Sequence, residues 1–466
     1  MTHETSERVQ HNARIKGIQD TKFVSEESLK HIITEKRIKA QLENHRTANY
    51  EVRYPPSAIV ATHLKIFAIL TMLGKHNDIY EFMEEGISDR SLPLRLSDPA
   101  TGTIVINGES PTCFRHWLSS DTDGFIRLQD QLNPVFLGRS AEPIAHKEID
   151  DRAVLPFISE KRIVEAGCGT VYKVEIHPDC HGFHNVLPSI DTKKCFALKR
   201  LLPRRKDDIS KRALGFQKEL DALQRLDGHH NEHLVTLLAT WTIQGSSRDR
   251  YCLLFPWAEG DLLSYWRRES HPCNGTRPDL DAIQWAIKQV AGMASALSTI
   301  HNPRNDMNLG PKRKYGRHGD IKSENILWYP PSEQNPRGHL VIADLGLTAF
   351  NSTRSRSNIP GESIPPSPDY RPPECDLAGG KISRAFDIWT FGCVLLEMVC
   401  WTLDGNQGLV DFEAHRTTPG INGVDTPIYF EILRKDVQGS QNPVDCEHAA
   451  VVKEGVHEVC DIVPIP

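Results

Sequence analysis

The sequence lacks a long apolar run. Its most hydrophobic stretch reads as Ala58–Leu73, sixteen residues interrupted by His63 and Lys65. That is short of the roughly 20 residues a bilayer span needs, so a buried helix is expected there and no membrane span. The first twenty residues are polar and hold no apolar h-region, which argues against a secretory signal. The 11 cysteines include no Cys-x-x-Cys pair, so neither a zinc knot nor a disulfide framework is expected. Scattered thiols fit a reducing compartment, cytoplasmic or nuclear. An excess of positive charge is missing too: the net charge is −6 and the pI about 6.4. Nucleic acid is therefore not an expected partner. There is no internal repeat and no low-complexity tract.

What remains is ordinary globular material. The chain has 466 residues, 39% hydrophobic and 25% charged, enough for two or three domains. Residues 1–150 read as a mostly helical region: a charged helix over Ser25–Asn44 capped at Ser25 or Ser28, a helix Ala58–Leu73 capped by Ser57, another near Asp78–Glu85, and a short strand TIVI at 103–106. Strand patterns follow at VYKVEI (171–176) and CFALKRLL (195–202), then a charged helix over Arg212–Leu226. Ile283, Ala286, Ile287, Val290, Ala294 and Leu297 recur at helical spacing. NILWY (325–329) and HLVIAD (339–344) read as two short strands. Strands first and helices afterwards predict an α+β domain of two lobes, a small one over 151–258 and a large one over 259–466.

Chemistry concentrates in two spaced motifs. His318-Gly319-Asp320-Ile321-Lys322-Ser323-Glu324-Asn325 is similar to H-R-D-x-K-x-x-N, and Asp344-Leu345-Gly346 is similar to D-F-G. Pro372-Pro373-Glu374 then resembles A-P-E. In this order, from about Phe157 to Trp401, the chain resembles the eukaryotic protein kinase superfamily. The flavour of GRHGDIKSENILW resembles kinase-domain proteins of filamentous fungi. The resemblance implies a two-lobed kinase fold, ATP and Mg2+ as cofactors, and protein substrates.

It also implies roles. Asp320 would accept the proton of a substrate hydroxyl, and Lys322, the Ser/Thr-type residue, would lie beside the transferring phosphoryl group. Asn325 and Asp344 are hard oxygen ligands suited to magnesium. Ala197-Leu198-Lys199 resembles V-A-I-K, placing Lys199 on the phosphates, with Glu219 as its ionic partner and Asp221 as a rival. Ala197, Phe255 (gatekeeper), the Trp257 and Ala258 backbone and Asp261 would surround the adenosine. The phosphate-covering turn departs from G-x-G-x-x-G-x-V, since Val164 and Ala166 replace the first two glycines. Gly167, Gly169 and Val171 remain, and backbone N–H groups there could approach phosphate. Ser367 would contact Asp320 and Lys322, and Glu374 would close the activation segment. Asp387, in SRAFDIWTFGCVLLEMVCW, would hold the catalytic-loop backbone. Gly319 stands where an arginine usually docks a phosphate carried by this segment, so regulation by another route is expected.

After Trp401 the resemblance decays. IYFEIL (428–433) and EHAAVVKEGVHEV (447–459) are expected as helices, and no late arginine for Glu374 is legible. His229, His230 and His233 in HHNEH could bind a metal but sit where an ordinary loop belongs. PKRK (311–314) reads as a solvated loop and Cys168 as an incidental small residue. Two functions compete: a protein Ser/Thr kinase, for which every charged catalytic group survives, and a pseudokinase scaffold whose helical N-terminal region contacts partners. A small-molecule kinase is disfavoured by the activation segment.

Overall fold

The structure is a computed structural model. It describes residues 2–9, 14–18, 21–43, 54–98, 103–106, 108–139, 144–166, 169–184, 186, 195–201, 209–229, 231–244, 250–269, 280–303, 314–333, 335–352, 369–420, 423–436 and 446–462. The expectations for Gly167, Cys168, His230, Ser367, residues 311–313 and most of Asn351–Ser357 lie outside these residues.

The N-terminal unit is helical. It comprises α1 (Thr2–Glu7), the pair β1 (Ile15–Lys16) and β2 (Lys22–Phe23), α2 (Glu26–Ile32), α3 (Glu35–Glu43), α4 (Pro56–Thr62), α5 (Leu64–Met72), α6 (Ile79–Glu84), the pair β3 (Leu96–Asp98) and β4 (Thr103–Ile104), and α7 (Ser119–Leu132). The expected helix from Ser25 onward is two helices. Ser25 does cap the first, its Oγ accepting from Ser28 N at 3.2 Å. The break falls at Ile33 because Ile33 and Ile38 are both buried. Five positions apart, they would point in well-separated directions on one continuous helix.

Ala58–Leu73 is likewise split, at His63 (φ −134°). Ser57 is not the cap of α4; Pro55 holds that place with Pro56 in the first helical position. The break lets α5 receive a remote cap, since Asp89 accepts from Lys65 N at 3.0 Å and Ile66 N at 3.0 Å. The helix can then be buried almost all round with its first amides satisfied. Phe82, Phe114, Trp117 and Phe125 pack edge and face beside it.

The small lobe is one sheet in the order β5-β9-β10-β8-β7-β6: β5 (Lys147–Asp150), β6 (Phe157–Ala166), β7 (Gly169–Ile176), β8 (Cys195–Leu201), β9 (Ala239–Gln244) and β10 (Arg250–Pro256). Strand β5 joins in parallel to β9, so the segment leading out of the helical unit completes this sheet. One face packs Phe157, Val174, Phe196, Leu198 and Trp241. The other carries Leu201 and Leu253 against Phe216, Leu220 and Leu223 of α8 (Ile209–Leu226).

The large lobe holds β11 (Gly260–Asp261), α9 (Leu262–Arg268), α10 (Leu280–His301), β12 (Lys314–Arg317), β13 (Ile326–Tyr329), β14 (His339–Ile342), β15 (Ala349–Ser352) and α11 (Ala385–Arg416). On α10 the expected stripe is rotated. Ile287 is 64% exposed and Ala294 is exposed, whereas Trp285, Gln289, Met293, Ala296 and Ile300 face inward. The indole of Trp285 donates to Gly338 O at 2.8 Å and turns the helix that way. The helix α11 is longer than expected and kinks at Asp404-Gly405. It is long and apolar enough to cross a membrane, yet most of its apolar stretch is packed inside this lobe.

Past α11 the chain forms the pair β16 (Thr418–Pro419) and β17 (Asp425–Thr426), then a hairpin of β18 (Phe430–Asp436) and β19 (Cys446–Val452), then α12 (Glu454–Ile462). The two expected helices are thus corrected: 430–436 is a strand and 447–459 is half strand, half helix. Ile432 and Val451 bring β-branched side chains to paired strands.

Candidate active site

Two motif residues nineteen positions apart meet because β13 and β14 form a hairpin. Ile326 pairs with Ile342, so Asn325 enters and Ala343 leaves the hairpin side by side, and Ala343 N donates to Asn325 O at 2.9 Å. The next residue, Asp344, is the only non-glycine with positive φ among the described residues (φ 60°, ψ 75°). Aspartate tolerates this region better than most residues. Its Oδ1 accepts from Gly346 N at 3.3 Å. A side chain on Gly346 would stand 3.1 Å from that oxygen.

Lys199 comes from β8. Its ammonium donates to both oxygens of Glu219 on α8, at 2.7 and 2.8 Å, and lies 3.6 Å from Asp344 Oδ1. The rival Asp221 accepts instead from Gln217 on the helix surface. Burial by itself would push Lys199 down, but the two carboxylates outweigh it and hold the ammonium above its ordinary value. For Asp344 burial pushes up, yet Lys199, the Gly346 N–H and the His318 ring together bring the carboxyl below the usual range.

The second cluster is the loop 318–325. Asn325 Nδ2 donates to Asp320 O and Asp320 Oδ2, both at 2.8 Å, and Lys322 Nζ lies 3.1 Å from Asp320 Oδ2. With its nitrogen so occupied, the Asn325 amide presents its oxygen as the outer acceptor. Beneath the loop, buried Asp387 accepts from His318 N, Gly319 N and His301 Nε2, each at 2.8 Å. The expected anchoring by Asp387 is present, and His301 is an addition that spacing did not reveal. His318 Nε2 meets Ala343 O at 3.0 Å, tying this loop to the Asp344 turn.

On the small lobe, Phe255 pairs with Ala197 and Leu253 with Lys199, so Phe255, Ala197 and Lys199 share the face turned toward α8. Trp257 is held by Lys173, whose ammonium stands 4.5 Å from its ring, and by Glu259 at 3.1 Å. Asp261 caps α9, accepting from Ser264 N at 2.7 Å. Val164 lies opposite Val171 in the β6–β7 pair and is 50% exposed, and Ala166 is paired with Gly169. A Cβ on Gly169 would stand 3.0 Å from Arg200 O, so glycine permits the close approach of β7 to β8. Glu374 follows Pro373 in a short 3-10 turn and forms no ion pair among the described residues.

Other features were invisible to sequence reasoning. Asp227, at the end of α8, accepts from Arg139 and, at 2.9 Å, from Ile144 N, while Gln224 donates to Ile144 O at 2.7 Å. The segment leading out of the helical unit thereby clamps the helix that carries Glu219. Buried Glu397 accepts from Tyr370 at 2.7 Å and Tyr429 at 2.8 Å and faces Arg416 at 3.5 Å. The late arginine thus serves Glu397, not Glu374. His233 bonds Leu340 O at 2.8 Å and lies against His339, a packing role.

Residues 183–410 match the model of the protein kinase domain. The chain carries a domain of the eukaryotic protein kinase superfamily. Among curated relatives of this kinase domain, the proline-rich receptor-like protein kinase PERK10 of Arabidopsis thaliana is 26% identical over 326 residues, covering 68% of this chain and 35% of that protein. The serine/threonine-protein kinase Kist of Mus musculus is 28% identical over 216 residues, 43% of this chain and 44% of that protein. The serine/threonine-protein kinase SSN3 of Yarrowia lipolytica is 28% identical over 149 residues, 32% and 31% of the two chains. The chain thus spans less than half the length of these relatives. The two lobes, sheet-rich and helical, are those of the kinase fold, and ATP binding is what the domain implies.

Proposed function

We propose that this kinase is catalytically active and transfers the γ-phosphoryl group of MgATP to serine or threonine hydroxyls of proteins. The observation that carries this reading is the joint arrangement of Lys199, Glu219 and Asp344: the ion pair is formed and the aspartate of the D-L-G turn faces the same ammonium. Phosphoryl transfer asks a protein mainly to align reactants and to counter charge. Lys199 holds phosphate oxygens. Asp320, oriented by Asn325 and Lys322, receives the substrate hydroxyl and its proton. Lys322 stabilises negative charge on the phosphoryl group. The Asn325 oxygen and the Asp344 carboxylate are hard donors and fit Mg2+; the ion, when bound, neutralises charge on the phosphates. Ala197, Phe255 and the 257–258 backbone would border the base, and the free carboxylate edge of Asp261 the ribose. Ser/Thr choice is supported by Lys322 and by the Kist and SSN3 relatives.

Protein substrates and a cytoplasmic location belong to the same reading, supported by Cys113, Cys180, Cys252, Cys375 and Cys393, which take part in no disulfide among the described residues. The test is incorporation of radiolabelled phosphate by the wild type, Asp320→Asn and Lys199→Met. Equal incorporation by all three rejects it. A second reading, a scaffold with little phosphotransfer, is favoured by Val164 and Ala166 in the phosphate-covering hairpin. It predicts no incorporation by any of the three, with partners retained by the N-terminal helical unit.

A further inference from the structure

A cavity of about 150 Å³ lies at the C-terminal end of α8, between its last turn, the loop that follows and Arg139. Its apolar floor has two halves. Leu223 and Leu226, one helical turn apart on α8, form the first, and Leu234 and Leu237 form the second; all four are buried. Between the halves the chain leaves the helix through Gly228, whose φ of +80° suits glycine. The loop is fastened on both sides of the gap. At the helix end Asp227 accepts from Arg139 and Ile144 N. Farther on, His233 O accepts from Ile342 N at 2.8 Å and Val235 N donates to Ile342 O at 2.9 Å. Pinned at Asp227 and at Ile342, the start of the loop cannot fall onto the leucines, and a cavity persists where its surroundings cannot collapse.

The rim carries the charge. Arg139, Asp227 and Glu232 all line the cavity. The Arg139 guanidinium is engaged by Asp227, so these two charges offset one another. Glu232 serves the fold through its backbone, Glu232 O accepting from His339 Nε2 at 2.8 Å, and its side chain stands at the exposed edge. Of the carboxylates and the guanidinium of the rim, Glu232 is therefore the one in excess. Size narrows the occupant further. An apolar space of about 150 Å³ takes one benzene ring, far less than a nucleotide or a drug-sized molecule requires.

We infer that this cavity is a binding site for a small arylalkylammonium ion, its ring on the four leucines and its ammonium at Glu232. The ring removes the apolar floor from water, and the cation meets the carboxylate at the mouth. A neutral molecule with the same ring lacks the second contact, and an arylcarboxylate brings a like charge to Glu232. Binding here requires neither nucleotide nor phosphotransfer, so the inference stands apart from the proposed activity.

The test titrates the full chain with benzylammonium, benzyl alcohol and benzoate at one ionic strength near neutral pH. Calorimetry reads the affinity and hydrogen exchange reads the place. Benzylammonium should bind saturably, about threefold more tightly than benzyl alcohol, with benzoate the weakest, and should slow exchange in the last turn of α8 and at Leu234–Leu237. Leu226→Phe fills the cavity and should abolish saturable binding of all three. Glu232→Gln leaves the floor intact. It should bring benzylammonium down to the affinity of benzyl alcohol without changing the alcohol, and it decides the matter if Leu226→Phe does not fold. Equal affinity of the wild type for the ammonium and the alcohol overturns the site, as does a preference that survives Glu232→Gln. So does the absence of saturable binding. Slowed exchange confined to β8 and β10 would place the ligand in the nucleotide cleft and overturn the site as well.

Discussion

The Asp344 carboxylate stands 3.6 Å from the Lys199 ammonium, although one belongs to the large lobe and the other to the small. The contact exists because Asp344 adopts a left-handed backbone. Asparagine enters that region readily and valine does not. Asp344→Asn should therefore keep the fold within about 0.5 kcal/mol yet lower phosphotransfer at least about 100-fold. Asp344→Val should lose the activity and about 1–2 kcal/mol of stability besides. Urea unfolding and radiolabel incorporation separate the two effects. Equal stability of both variants would show that the backbone imposes nothing here.

Gly319 is required by conformation as well as by space. At φ +87°, with a Cβ 3.1 Å from Leu347 O, Gly319→Ala should cost about 1–3 kcal/mol and loosen the two amides held by Asp387. The expected sign is faster hydrogen exchange at His318 and Gly319. Unchanged exchange and unchanged urea midpoint would contradict it.

Glu374 is raised by burial and has no cationic partner among the described residues. The folded state therefore binds its proton more tightly than the unfolded chain does. Its contribution is favourable at acid pH and is lost as pH climbs through the unfolded and then the folded value. Glu374→Gln should accordingly raise the unfolding temperature at pH 7.5, the advantage fading toward pH 4. A variant less stable than the wild type at pH 7.5 would reveal a partner for this carboxylate.

The clamp on α8 makes a different prediction. Asp227→Ala leaves Arg139 and Ile144 N without their shared acceptor, at a cost of about 2 kcal/mol. Opening should begin at the end of α8, so hydrogen exchange there should rise more than in β8 or β10. If exchange rose uniformly, the N-terminal segment would not be what steadies the Glu219 helix.

Much of the site was legible in order along the chain. Asp320, Lys322, Asn325 and Asp344 lie within a loop and a hairpin, where local geometry brings nearby positions together. Lys199 on an alternating strand and Glu219 on a charged helix could likewise be placed, and the geometry separates Glu219 from Asp221. Helix breaks were not legible at Ile33 and His63, since both depend on distant partners, the shared core in one case and Asp89 in the other. The tail was misread because β18 and β19 are strands only by virtue of each other.

By itself the sequence determined the chemical inventory, and its spacing set the hairpin that joins Asn325 to the Asp344 turn, because those relations are local. Only the tertiary structure decided which distant charges meet: Lys199 with Glu219 and Asp344, Arg139 with Asp227, and Arg416 with Glu397 instead of Glu374. Side-chain partnership across lobes depends on the direction in which packed elements present their residues, and one-dimensional spacing carries no record of that direction.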